Sequence, residues 1–199
     1  MQGRDNWIDL RRDFERAKHA YDGQPDFHPS DQMCDLLILG EDHRFLNHTG
    51  VDPIALARAA WRTCLCGRRE GGSTIAMQLV RTLTGQRERT IARKTREIAL
   101  AIRLTKDNFR ETLPRLYLWL AYYGWRMNNF REACERLGID PKSHDLHSAA
   151  QLVARIKYPQ PRKAPPRRID QIETRCRYLI DRYQKHQSRS PTEEYDEAL

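Results

Sequence analysis

This sequence predicts an all-α fold, and three observations lead there. Apolar residues recur at helical spacing in one stretch after another. Strict apolar/polar alternation, the mark of a half-buried strand, is scarce. The breaks between stretches carry Gly, Pro or a capping Ser, Thr or Asp. At 199 residues the chain can bury the core of one domain. That domain is expected over residues 31–185, after an N-terminal helical segment and linker (1–30) and before a frayed tail (186–199).

The elements follow in order. From Trp7 to Tyr21, Ile8, Leu10 and Phe14 sit among charges and predict a surface helix, with Gly23, Pro25 and Pro29 as linker. Asp31 is the expected N-cap of a buried helix through Leu39 that stops at Gly40. Asp52-Pro53 starts another, running to about Trp61, because Pro suits a first turn. Cys64 to Gly72 reads as a basic loop, and Ser73 or Thr74 caps a helix ending at Gly85. From Glu88 to Leu104, Ile91, Thr95, Ile98 and Ile102 mark one face. Helices are then expected from Thr112 toward Gly124, and over Asn129–Leu137, Ser143–Ile156 and Ile169–Tyr183. The proline-broken, basic stretch from Tyr158 to Arg168 should be extended.

A net charge of +8 fits an anionic partner: a phosphorylated substrate, an acidic lipid surface or nucleic acid. No nucleic-acid partner is expected, since neither a known module nor an aromatic stacking platform is evident. Cys34, Cys64, Cys66, Cys134 and Cys176 form no Cys-x-x-Cys pair, which predicts buried or idle thiols rather than a zinc site or disulfide framework. The longest apolar run, Leu36 to Leu39, falls far short of a membrane span, and no signal peptide is visible.

Two carboxylates stand out. Glu41 follows the most apolar stretch, where partial desolvation would suit a general base; an ordinary loop carboxylate paired with Arg44 is the plainer reading. Glu97 sits within helical reach of Arg93 and Lys94, with Arg89 and Arg96 nearby. Such cations suit a phosphate or pyrophosphate; alone, the stretch reads more plainly as a salt-bridged solvent face. Gly71-Gly72-Ser73-Thr74 leads into a helix whose first free N–H groups attract anions, although it lacks the Lys and spacing of a P-loop.

Read together, these stretches resemble the bacterial peptidoglycan glycosyltransferases, family 51 of the glycosyltransferases. The family includes the polymerase domain of bifunctional penicillin-binding proteins and the monofunctional transglycosylases. The first motif, E-D-x-x-F-x-x-H-x-G-x-D, is met in full from Glu41 through Asp42, Phe45, His48 and Gly50 to Asp52. The second appears as GGSTIAMQLVR from Gly71 to Arg81, and the third as Arg93-Lys94-Thr95-Arg96-Glu97. The resemblance covers about residues 31–160 and implies a lysozyme-like glycosyltransferase 51 fold. It implies an inverting transfer from a lipid-pyrophosphate-linked sugar, most often peptidoglycan lipid II.

By resemblance, Glu41 takes the proton of the acceptor hydroxyl, and Glu97 orients nearby cations or helps hold a divalent cation, magnesium or manganese. Ser73, Gln78, Arg81, Arg89, Arg93 and Lys94 match substrate- and pyrophosphate-binding positions. Asp42, Phe45, His48, Gly50, Gly71 and Gly72 match supports of the site. The implied setting is peripheral at the outer face of the bacterial cytoplasmic membrane. An anionic bilayer and other cell-wall synthesis proteins are the implied partners. Trp61, Leu65 and neighbouring arginines stand where the family has a membrane-touching flap.

The fourth motif departs: Arg115 and Trp119 replace the usual Glu and Asn, although Tyr117 and Gly124 remain. The family's N-terminal anchor is not seen. A catalytically degenerate member that binds lipid-linked precursor or a cell-wall partner is therefore the alternative. A lysozyme-like hydrolase ranks lower, because hydrolysis has no use for the cations around Glu97.

Overall fold

The computed structural model describes residues 2–66, 71–86, 88, 90–107 and 110–188, the side chains of 2–6 and 63–66 excepted. The described residues form α1 (Gln2–Asp22), α2 (Asp31–Glu41), α3 (Pro53–Cys66), α4 (Ile75–Thr84), α5 (Ile91–Lys106), α6 (Thr112–Leu120), α7 (Phe130–Leu137), α8 (Leu146–Lys157) and α9 (Pro166–Ser188). Among them no strand forms; Gly124 makes isolated bridges to Met127 and Gln160. The all-α expectation holds.

The helices pack as two groups around a shared middle. One gathers α1, α4, α5 and α6; the other gathers α2, α8 and α9; contacts between α2 and α6 join them. Met33, Leu36 and Leu37 of α2 meet Leu113, Leu116 and Leu118 of α6 and Leu79 and Val80 of α4 in one continuous core. The C-terminus of α2 and the N-terminus of α4 both emerge where the groups meet, and a cleft opens there.

Several elements differ from the sequence reading. The opening helix is no surface appendage: Trp7, Leu10, Phe14 and Tyr21 are buried, and α1 packs on α4 and α6. Those residues form one stripe along the helix, and burying each large side chain is worth about 1.5–3 kcal/mol. Ser30, not Asp31, caps α2, because its extended backbone sets Oγ 3.3 Å from the Met33 amide. The helix then passes through Gly40 and ends at Glu41. Gly40 lies within the helix and packs closely on α9: a Cβ there would lie 2.5 Å from Leu179 Cδ2, which would have to shift.

The face of α5 was also misread. Ile91 is 85% exposed, and the buried side is Glu97, Leu100, Ala101, Leu104 and Thr105. The apolar pattern misled because a buried carboxylate, held by neighbouring cations, occupies the core-facing side. Thr90 caps this helix and α5 starts at Ile91, so it begins later than Glu88. Helix α3 continues past Trp61 to Cys66, and residues 67–70 of the expected basic loop lie outside the described residues. Asp145 caps α8, which starts at Leu146 rather than Ser143. Pro166 opens α9 early, since its fixed φ suits a first turn, so the extended stretch stops at Pro165. That helix also runs into the expected tail (186–199), ending at Ser188. Cys34, Cys134 and Cys176 are buried free thiols, and burial pushes the first two up to about 12.

Candidate active site

Glu41 closes α2 and faces the cleft, its side chain 19% exposed. Asp42, His43, Asp52, Ala55, Arg58 and Gly71 to Thr74 line the same cleft. The loop that presents Glu41 is fixed from inside. The buried carboxylate of Asp42 accepts from His48 Nε2 at 2.8 Å and from the Ile75 amide at 3.0 Å. One side chain thus ties the loop after α2 to the first turn of α4, where a negative group also favours the helix dipole. Phe45 is buried and meets His48 edge-on, with ring centroids 6.3 Å apart.

The far end of the loop is held as firmly. Thr74 caps α4 through the Met77 amide and donates its hydroxyl to Gly50 O at 2.6 Å. Gly50 has φ 88, and a Cβ there would strike the Ala101 carbonyl and lie 2.5 Å from Thr105 Oγ1 of α5. Asp52 caps α3 at the Ile54 and Ala55 amides. Arg110 grips the carbonyls of Leu46 and His48 at 2.8 and 2.7 Å. Asp42, Phe45, His48 and Gly50 therefore all make contacts that hold the loop following Glu41.

The opposite wall is built from α4 and α5. Ser73 lines the cleft, and its Oγ receives Lys94 Nζ at 2.9 Å. The same ammonium donates to Glu97 Oε1 at 2.8 Å, while Arg93 Nη1 donates to Glu97 Oε2. Glu97 is 3% exposed and does not reach the cleft surface. Its two oxygens aim one lysine and one arginine. Gln78 extends this wall: its Nε2 donates to Ser73 O at 3.4 Å, and its Oε1 accepts from Tyr117 at 2.6 Å. Burial, reinforced by the neighbouring negative charge of Glu41, raises the Tyr117 phenol, while Arg81 pulls the other way. Tyr117 therefore stays a proton donor to Gln78. Gly71 and Gly72 border the cleft, and at Gly72 a side chain would press on Ala59 and Ala55 of α3. Arg89 lies outside the described residues.

Ser73 joins the two halves of the prediction. It shares a cleft with Glu41 and is hydrogen-bonded to the lysine that Glu97 orients. A divalent ion at Glu97 does not fit this arrangement, because both carboxylate oxygens are engaged by cations that would repel it. Among the described residues, no group of three or more His, Cys, Asp or Glu gathers as a ligand set.

One partner escaped the sequence reading. Arg175 of α9 donates from Nη2 to Glu41 Oε1 at 2.6 Å and to Gly40 O at 2.6 Å. The expected partner, Arg44, instead approaches Asp52 at 3.6 Å. Nothing in the arginine-rich sequence of α9 distinguishes Arg175 from its neighbours; only the crossing of α9 over Gly40 selects it. The altered fourth-motif residues turn elsewhere. Arg115 holds Asp31 and the Pro29 carbonyl, and Trp119 packs edge-on against Tyr21 at 6.0 Å. Neither lines the Glu41 cleft.

Comparison with known proteins places the chain in a family. A family profile described as Transglycosylase matches residues 23–184. Penicillin-binding protein 1A of Aquifex aeolicus is 31% identical over 174 residues, which is 85% of this chain and 23% of that protein. Biosynthetic peptidoglycan transglycosylase of Alcanivorax borkumensis is 31% identical over 150 residues, 72% of this chain and 61% of that protein. Penicillin-binding protein 1F of Bacillus subtilis is 38% identical over 94 residues, 47% of this chain and 13% of that protein. The chain thus spans under a quarter of these penicillin-binding relatives. With the profile covering most of its length and the described residues folding into helices, this chain belongs to the transglycosylase family and has its lysozyme-like glycosyltransferase 51 fold.

Proposed function

We propose that this protein is an inverting peptidoglycan glycosyltransferase that extends a glycan from a lipid-pyrophosphate-linked sugar, with lipid II as substrate. The observation that supports this reading is Ser73, which lines the cleft with Glu41 and accepts a hydrogen bond from the Lys94 ammonium. In the reaction the acceptor hydroxyl oxygen bonds to the donor's anomeric carbon from the face opposite the leaving group. The bond from that carbon to the pyrophosphate breaks, and the electron pair leaves with the phosphate oxygen. Glu41 accepts the hydroxyl proton. Lys94 neutralises the charge growing on the leaving group, with Arg93, Arg81 and Arg89 supplementing it, and Glu97 keeps Lys94 and Arg93 aimed. Fixed side-chain cations supply this charge, so no step is assigned to a metal.

Membrane placement is part of the same proposal. Ile54 and Trp61 of α3 are 54% and 67% exposed, with Arg58 and Arg62 on the same helix. An indole and an aliphatic chain beside guanidiniums suit an anionic bilayer surface, where the lipid-linked donor resides. Among the described residues no helix is long and apolar enough to cross a membrane. Other cell-wall synthesis proteins remain the proposed partners.

The test is polymerisation of lipid II by the wild type and by Glu41→Gln, with circular dichroism to show that the fold is kept. Loss of a general base is expected to cost roughly 100- to 10,000-fold in rate. Full activity in Glu41→Gln would refute the assignment. Binding of lipid II with no turnover by the wild type would select the precursor-binding alternative.

A further inference from the structure

The proposed base is held by a residue far away in sequence, and the hold is one-sided. Arg175 engages only Oε1 of Glu41; among the described residues Oε2 has no hydrogen-bond partner. A carboxylate free to rotate about its last torsion would spend little time aimed at a substrate hydroxyl. A carboxylate anchored through one oxygen presents the other in a fixed direction.

The anchor is itself immobilised. Arg175 is 10% exposed at its side chain, and the nitrogen that grips Glu41 also grips the Gly40 carbonyl, so the arginine reads both backbone and side chain of the last turn of α2. Its guanidinium lies over the Tyr178 ring at 4.8 Å, one turn further along α9. Arg182 Nη1 donates to the Tyr178 hydroxyl at 2.9 Å, and its charge disfavours protonation of His43, a cleft residue. Arg175, Tyr178 and Arg182 thus form a stripe along α9 whose first member reaches Glu41.

Gly40 makes this stripe possible. A Cβ at residue 40 would sit 2.5 Å from Leu179 Cδ2 and 3.0 Å from Arg175 Nη2. Glycine inside a helix weakens it, so its presence here trades local helix stability for the close approach of α9. The approach places the guanidinium in hydrogen-bond range of Glu41.

We infer that Arg175 is a positioning residue for the transfer reaction: it fixes the Glu41 carboxylate through Oε1 so that Oε2 meets the acceptor hydroxyl. The inference rests on Glu41 being the base. Because Arg175 touches the base and not the substrate, its loss acts on turnover rather than on donor binding.

The experiment measures kcat and KM for lipid II polymerisation with the full chain carrying Arg175→Met, Arg175→Lys, Arg175→Ala, Glu41→Gln, or Glu41→Gln with Arg175→Met. Thermal melting of each variant runs alongside. Arg175→Met is expected to lower kcat by about 10- to 100-fold, with KM within about twofold of wild type. Arg175→Lys should recover part of the loss, and added guanidinium ion should raise kcat of Arg175→Ala. Adding Arg175→Met to Glu41→Gln should cost nothing further, since the anchor works only through the carboxylate. Three results would overturn the inference: wild-type kcat in Arg175→Met, an effect confined to KM, or a loss that tracks melting and ignores guanidinium. If Glu41→Gln is inactive while Arg175→Met turns over normally, positioning fails and the base assignment stands. If Glu41→Gln is fully active, the base assignment fails and takes the inference with it.

Discussion

Replacing Asp42 by alanine tests how the loop bearing Glu41 is held. Asp42 is 5% exposed, and its two oxygens satisfy His48 Nε2 and the Ile75 amide. Alanine removes both acceptors in a site too enclosed for easy replacement by water. Each orphaned buried donor costs about 1–3 kcal/mol, so the pair costs roughly 4 kcal/mol. For a chain of this size that lowers the melting temperature by roughly 8–16 °C. Asp42→Asn retains one acceptor oxygen and should lose about half as much. Urea unfolding followed by far-ultraviolet circular dichroism gives the difference directly, with the slope against urea checked for constancy. A loss below about 1 kcal/mol for Asp42→Ala would show that the loop is anchored by other contacts, Arg110 and Thr74 among them.

Two further outcomes probe the same loop. Gly50→Ala places a methyl group against the Ala101 carbonyl and Thr105 Oγ1 at a left-handed backbone angle, and should cost about 2–5 kcal/mol in urea unfolding; near-wild-type stability would mean that α5 yields easily. His43 titrates below its ordinary value of 6.5, through partial desolvation in the cleft and then through Arg182, Arg58 and Arg44, with Asp52 opposing. Above 6.5 the folded and unfolded chains both hold it neutral and it contributes nothing. As pH falls below 6.5 the unfolded chain takes the proton first, so stability drops until the folded His43 also protonates. Urea midpoints measured stepwise from pH 7 downward should fall less steeply in His43→Gln than in wild type; parallel curves would remove His43 from the account.

Much of the site was legible because its parts lie close together in the chain. Asp42, His48, Gly50 and Asp52 act on the loop they belong to, and the Arg93, Lys94 and Glu97 contacts are those of neighbouring helical turns. The joining of Ser73 to Lys94 was not legible in the sequence, since 21 residues separate them. Misreadings arose where tertiary burial overrode local pattern. Ile91 looked like a core residue and is 85% exposed, whereas Glu97 looked solvated and is buried. The opening helix looked peripheral because its charges outnumber its apolar residues, yet Leu10 and Phe14 are almost wholly enclosed.

The choice of Glu41 and of the cations around Glu97 came with the family resemblance; by itself the sequence determined the helical character and the caps and breaks that bound most helices. Those properties follow from residue spacing and from side chains that bond within a turn or two of their own backbone. Only the tertiary structure decided which cation meets Glu41, which face of α5 turns inward, and why residue 40 is glycine. Each depends on the approach of α9 or α4 from distant chain positions, and a packing distance between two helices has no counterpart in the local pattern of either.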